Sequence, residues 1–171
     1  MDARFQPAVD AMKTGDLDRL RALLREDPGL AAARSSTSHP TLLQCLVLEA
    51  REAPNQVEMA RALIAQGAEI DGPLVAAVSV NNTEAAAALL DAGAAVDGRG
   101  GWSPLEEALY WSNQAAIDLL LARGAAVRTL RAAAGLGRKD LIESSFDADG
   151  GLKPEAGGID WPFGDPLTSN H

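Results

Sequence analysis

Pairs of large apolar residues recur along the chain in a fixed register. Leu23-Leu24, Leu63-Ile64, Leu89-Leu90 and Leu120-Leu121 each stand eight residues after a small or turn-forming residue. Those residues are Gly15, Asn55, Asn81 and Ser112, and Gly137 stands eight before Ser145-Phe146 in a fifth copy. Successive pairs are 40, 26, 31 and 25 residues apart. A period of this order marks units that bury their apolar faces by stacking on one another.

Further positions keep step with the pair, and each has a physical reason. Three residues after the turn residue comes an acid in four copies: Asp18, Glu58, Glu84 and Asp140. An acid there meets the positive end of a new helix. Twelve residues after it come Gly67, Gly93 and Gly124, with Asp27 and Asp149 in the outer copies. Glycine at that place predicts a helix stop in the left-handed conformation. Pro7, Pro73 and Pro104 stand eight residues before the turn, with Thr129 at that place in copy five. Proline suits a helix start, where its missing N–H is not needed. Four residues on come Ala11, Ala77, Ala108 and Ala133, small enough for close helix packing. Each copy therefore reads as a short helix, a tight turn, a second short helix and a stop.

Composition supports an all-α reading. The chain holds 33 alanines and 23 leucines, with only 4% aromatic residues. Such residues favour helices, whereas sheets prefer β-branched and aromatic side chains. The length suits one domain, or one domain plus a tail.

The best copy reads Gly101-Trp102-Ser103-Pro104-Leu105-Glu106-Glu107-Ala108, then Leu109 to Leu121, then Ala122-Arg123-Gly124-Ala125. This resembles the ankyrin repeat, whose pattern runs Thr-Pro-Leu-His-x-Ala, a Gly-His-x-Glu turn, Leu-Leu and Gly-Ala-Asp. The resemblance covers about residues 5–150. It implies an ankyrin-type α-solenoid of about five helix-turn-helix repeats, with short β-hairpin fingers between them. It also implies a surface on the fingers and first helices that docks partner proteins.

The departures from that pattern carry expectations of their own. The motif histidine is absent; Glu106 takes its place in copy four and Gln44 in copy two. The inter-repeat polar network must then be built otherwise. A finger fits at Gly98–Ser103 but hardly before copy three, where only Gly72 separates Asp71 from Pro73. Copy two is long, so Leu42–Leu48 is expected to belong to a longer first helix running to near Arg51. A loop at Ala53-Pro54-Asn55 would follow it. Arg19, Arg21 and Arg25 suit an N-terminal cap, and Ser144-Ser145 a polar C-terminal one.

The domain is expected to span residues 1–146, followed by a Gly/Pro-rich acidic tail at 147–171. Three readings of that tail stay open. It is disordered, it leads to further repeats, or it folds back with Trp161 and Phe163 covering the last repeat.

The net charge of −9 opposes nucleic-acid binding and an anionic membrane surface. No apolar run reaches the roughly 18 residues of a membrane span. One cysteine and no apolar leader segment point to a reducing, cytoplasmic setting. Charge is uneven: residues 62–98 hold five acids and no base, and residues 123–139 five bases and no acid. That basic stretch reads as a solvated face or a docking patch, which the acidic tail could screen.

Catalytic groupings are poor. His39 and His171 are not placed to act as bases, and Cys45 lies in an apolar run where a buried thiol is expected. Glu106 and Glu107 point about 100° apart on a helix, so they do not share a proton. Gly135-Leu136-Gly137-Arg138-Lys139 lacks the strand and glycine of a phosphate loop. Asn81-Asn82-Thr83 reads as a helix cap.

The expectation is a non-catalytic protein–protein interaction module, monomeric, with no cofactor and no metal. Its partner-binding residues are expected to be Arg99, Glu107, Tyr110 and Trp111. Two other readings are an N-terminal fragment or regulatory segment of a larger ankyrin repeat protein and a hydrolase with an atypical acidic site.

Overall fold

A computed structural model describes residues 3–36, 40–100 and 102–157. His39, His171, Trp161 and Phe163 lie outside them. Helices pair along the chain in five copies. They are α1 (Gln6–Thr14) with α2 (Leu17–Glu26), α3 (Leu42–Glu49) with α4 (Gln56–Ala65), and α5 (Asp71–Ser79) with α6 (Thr83–Asp91). Then come α7 (Pro104–Tyr110) with α8 (Gln114–Ala122), and α9 (Leu130–Gly135) with α10 (Lys139–Ser144). A final turn, α11, spans Pro154–Gly157.

First helices stack on first helices in the order α1, α3, α5, α7, α9, and second helices in the order α2, α4, α6, α8. This double row is the expected all-α ankyrin-type solenoid. Its core runs the length of the stack. Leu63, Leu89 and Leu120 from the apolar pairs are fully buried, as are Ala77 and Ala108 in the first helices. In each pair one member is buried and the other less covered; in copy one the buried member is the second, Leu24, and Leu23 is the partly covered one.

The turn chemistry follows the register. All five turn residues are left-handed: Gly15, Asn55, Asn81, Ser112 and Gly137 have φ between 55° and 73°. The stop residues Gly67, Gly93 and Gly124 are left-handed too. Pro104 opens α7, while Pro7 and Pro73 sit second and third in their helices, still within the turn that needs no N–H donor. Thr41 and Gln44 form a reciprocal cap on α3, and Asn82 caps α6 by accepting from the Ala85 N–H.

Side chains at the turns also tie copies two, three and four each to the copy before. Asn55 donates to the Gly15 carbonyl at 3.0 Å, Asn82 to Gln56 Oε1 at 3.1 Å, and Asn113 to the Val78 and Ser79 carbonyls at 2.8 Å each.

Two expectations need correction. The first helix of copy two ends at Glu49 and is no longer than its neighbours. The extra residues instead form a turn at Ala50–Asn55 that lies over Gly15. Nor does a β-hairpin finger form among the described residues: none of them is in a strand, and Arg99, Gly100 and Trp102 are bends. The linkers are pinned by carboxylates. Asp71 accepts from the Ala95 N–H at 2.7 Å and Asp97 from the Ala126 N–H at 2.8 Å, each bonding into the next linker. A linker whose N–H groups meet side chains needs no partner strand.

The same register explains the charge gradient. Arg99 pairs with Asp71, Arg123 with Asp91 at 2.8 Å, and Arg128 with Asp97 at 2.6 Å. Bases of later copies thus meet acids of earlier ones. Burial alone would push the Asp71 carboxyl up, but the Ala95 N–H and the Arg99 guanidinium hold it below the usual range. A lowered folded value stabilises the fold above the ordinary pKa of about 4, and that gain fades as pH falls through the folded value. Asp71→Asn should therefore cost about 1 kcal/mol at pH 7. In urea titrations its deficit against wild type should shrink below about pH 4.

At the far end α10 buries no residue completely, which suits a terminal repeat. The chain then turns back. Phe146 bridges Leu152, Lys153 donates its N–H to the Ser145 carbonyl at 2.9 Å, and Ala156 is buried. Asp147 accepts from the Asp149 and Gly151 N–H groups of its own turn. No ion pair joins a tail acid to an arginine among the described residues.

Candidate functional site

Helix α7 is seven residues long, and its geometry builds the most distinctive surface of the molecule. Ser103 caps it by accepting from the Glu106 N–H at 3.2 Å. Glu107 and Trp111, four residues apart, fall on one face. Trp111 Nε1 donates to Glu107 Oε1 at 2.8 Å, and Trp102 Nε1 donates to Glu107 Oε2 at 2.6 Å. One carboxylate thus holds two indoles from either end of the helix. Charge-assisted bonds of this kind are short and orient both partners.

The ring of Tyr110 meets that of Trp111 edge to face, with centroids 5.0 Å apart and planes at 80°. Both rings stay open, Tyr110 at 48% and Trp111 at 52% exposure. Their place just before the turn at Ser112 keeps them off the core, which α7 meets through Leu105 and Ala108. The Arg131 guanidinium from α9 lies over the Trp102 ring, 5.1 Å from its centroid.

Glu106 points elsewhere. It is only 4% exposed, and its Oε1 accepts from the Thr129 hydroxyl of the next repeat at 2.6 Å. This bond restores a polar link between repeats where the family pattern has histidine. The two neighbouring carboxylates thus take separate partners and share no proton.

The structure brings Glu107, Tyr110 and Trp111 into one group. Glu107 is 4% exposed, so it acts by holding the indoles. Arg99 is exposed and reaches back to Asp71. The residues expected from sequence included neither Trp102 nor Arg131. An indole donor five residues before Glu107 was a signal for the first. The second had none, since α7 and α9 meet only through stacking.

Two other features lie away from α7. An open groove of about 410 Å³ lies between α2 and α4, with Leu24, Ala62 and Ala65 below Arg21, Arg25 and Arg61. Cys45 is buried, and burial pushes its thiol up, away from the reactive thiolate. Among the described residues no group of three or more histidine, cysteine, aspartate or glutamate side chains could hold a metal ion. No helix among them is long and apolar enough to cross a membrane.

In comparison with known families, a model of ankyrin repeats, in three copies, matches residues 46–130. The match runs from within α3 to the start of α9, so copies one and five lie largely outside it. No match was found among the curated proteins.

Proposed function

We propose, since this chain is an ankyrin repeat protein, that it is a non-catalytic module binding a partner protein through the surface at the end of α7. Ankyrin repeats generally serve protein–protein interaction. The observation that carries the finer reading is the pair of half-exposed rings, Tyr110 and Trp111, with Trp111 already oriented by Glu107. Large aromatics held in place dominate interfaces because they bury much area and lose little freedom on binding. Arg99, on the linker that precedes α7, supplies a charged rim contact. The partner is a protein rather than a nucleic acid, in keeping with the net charge of −9. A monomer in the reducing cytoplasm fits the single buried Cys45.

The test is a Tyr110→Ala/Trp111→Ala double variant. Both rings lie outside the core, so helical circular dichroism should be retained, while loss of the Trp111 bond to the buried Glu107 should lower the unfolding midpoint by only a few degrees. Capture of partners from host extract, read by mass spectrometry, should then lose those that the wild-type chain retains. Equal capture by both proteins would place the binding surface elsewhere.

A further inference from the structure

A small cavity of about 130 Å³ opens beside α7, lined by Trp102, Glu106, Leu109, Tyr110, Arg131 and Gly135. It is far smaller than the roughly 300–1,000 Å³ of ordinary small-molecule sites, so it has room for a side chain rather than a cofactor. We propose that it receives a lysine side chain of the partner protein, whose ammonium meets the carboxylate of Glu106. The proposal rests on the docking surface described above and names the chemistry recognised there.

Three observations support it. Glu106 Oε1 is engaged by Thr129, but Oε2 is buried without a hydrogen-bond partner among the described residues. Arg131 pairs with Oε1 at 3.7 Å, leaving Oε2 aside, and its guanidinium lies over the Trp102 ring. A buried carboxylate oxygen with open acceptor capacity is a seat for a donor. Next, Glu106 is the one acid among the described residues that line the cavity, and Arg131 the one cation. Both oxygens of the neighbouring buried Glu107 are taken by indoles, so Glu106 Oε2 is the carboxylate oxygen left with open acceptor capacity. Last, Trp102 and Tyr110 line the cavity, and aromatic faces favour a cation. An ammonium on a thin aliphatic stem carries three donors and suits a narrow, partly apolar entry. Arg131, half exposed, stands beside the entry as a like charge and competes with it.

The experiment titrates the full chain with n-butylammonium chloride at constant ionic strength, read by proton–nitrogen NMR. The Trp102 indole N–H and the Thr129 amide should shift saturably, while neutral N-butylacetamide should leave them unmoved. Glu106→Gln keeps the acceptor for Thr129 and should weaken the response at least about tenfold. Arg131→Gln removes the competing charge and should tighten it. A matching titration with the neutral amide, an unchanged response in Glu106→Gln, or a weaker one in Arg131→Gln would overturn the proposal. The two readings separate cleanly. Partner loss in the aromatic double variant without any butylammonium response keeps the surface and removes the lysine pocket. A butylammonium response in a chain whose double variant still holds its partner does the reverse.

Discussion

Gly15→Ala should lower the stability of this protein by about 3 kcal/mol or more, while Gly67→Ala should cost about 1 kcal/mol. Both glycines are left-handed, with φ of 73° and 83°. A β-carbon at either position carries the same backbone strain. Their surroundings differ. At Gly67 a β-carbon would meet nothing within 4 Å. At Gly15 it would lie 2.8 Å from the Pro54 carbonyl oxygen and 2.9 Å from the Pro54 side chain. The turn of copy two rests there, tied by Asn55 to the Gly15 carbonyl. A methyl group must push the first two repeats apart or break that bond. Thermal unfolding should show it as a midpoint drop of roughly 6–12 °C for Gly15→Ala, and a few degrees for Gly67→Ala. Equal losses at the two sites would mean that the contact between copies one and two adds little.

Glu107→Gln should be the next most damaging change, at about 2 kcal/mol. The carboxylate accepts from two indole N–H groups at once. A carboxamide has one acceptor oxygen, so its NH2 group must face an indole N–H, donor against donor. Glu107→Ala also empties a buried position and releases both rings. Urea titration measures the stability loss. Indole N–H shifts of Trp102 and Trp111 measure the loss of orientation, and partner binding should weaken with them. If Glu107→Gln leaves stability and both indole shifts unchanged, the carboxylate does not organise the surface.

Much of the fold was legible because it is written in short offsets. The left-handed turn residues, the glycine stops and the buried alanines of the first helices depend on near neighbours in the chain. Their spacing follows from helix geometry. The linkers were less legible. Asp71 and Asp97 each stand four residues after a stop glycine, and each bonds an N–H two residues after the next one. That rule links positions 24 and 29 residues apart. Its meaning needs two linkers side by side. The pattern language of the family pointed to hairpins there, whereas in this chain carboxylates satisfy the linker amides.

The candidate site divides along the same line. Tyr110 and Trp111 were expected as contacts on the ankyrin resemblance, and both rings are open. Glu107 stood beside them as a surface contact, but it is buried beneath two tryptophans. Whether an acid on a short helix faces solvent or an indole depends on Trp102, which arrives from the linker before the helix. The role of Arg131 depends on the next repeat lying against α7. The amino-acid sequence by itself determined the repeat, its helices, its turns and the two exposed aromatics, because each of these answers to forces acting within a turn or two of chain. Only the tertiary structure decided which charges pair, which acid is buried and where a small cavity opens. Those outcomes depend on groups that stacking brings together from separate repeats.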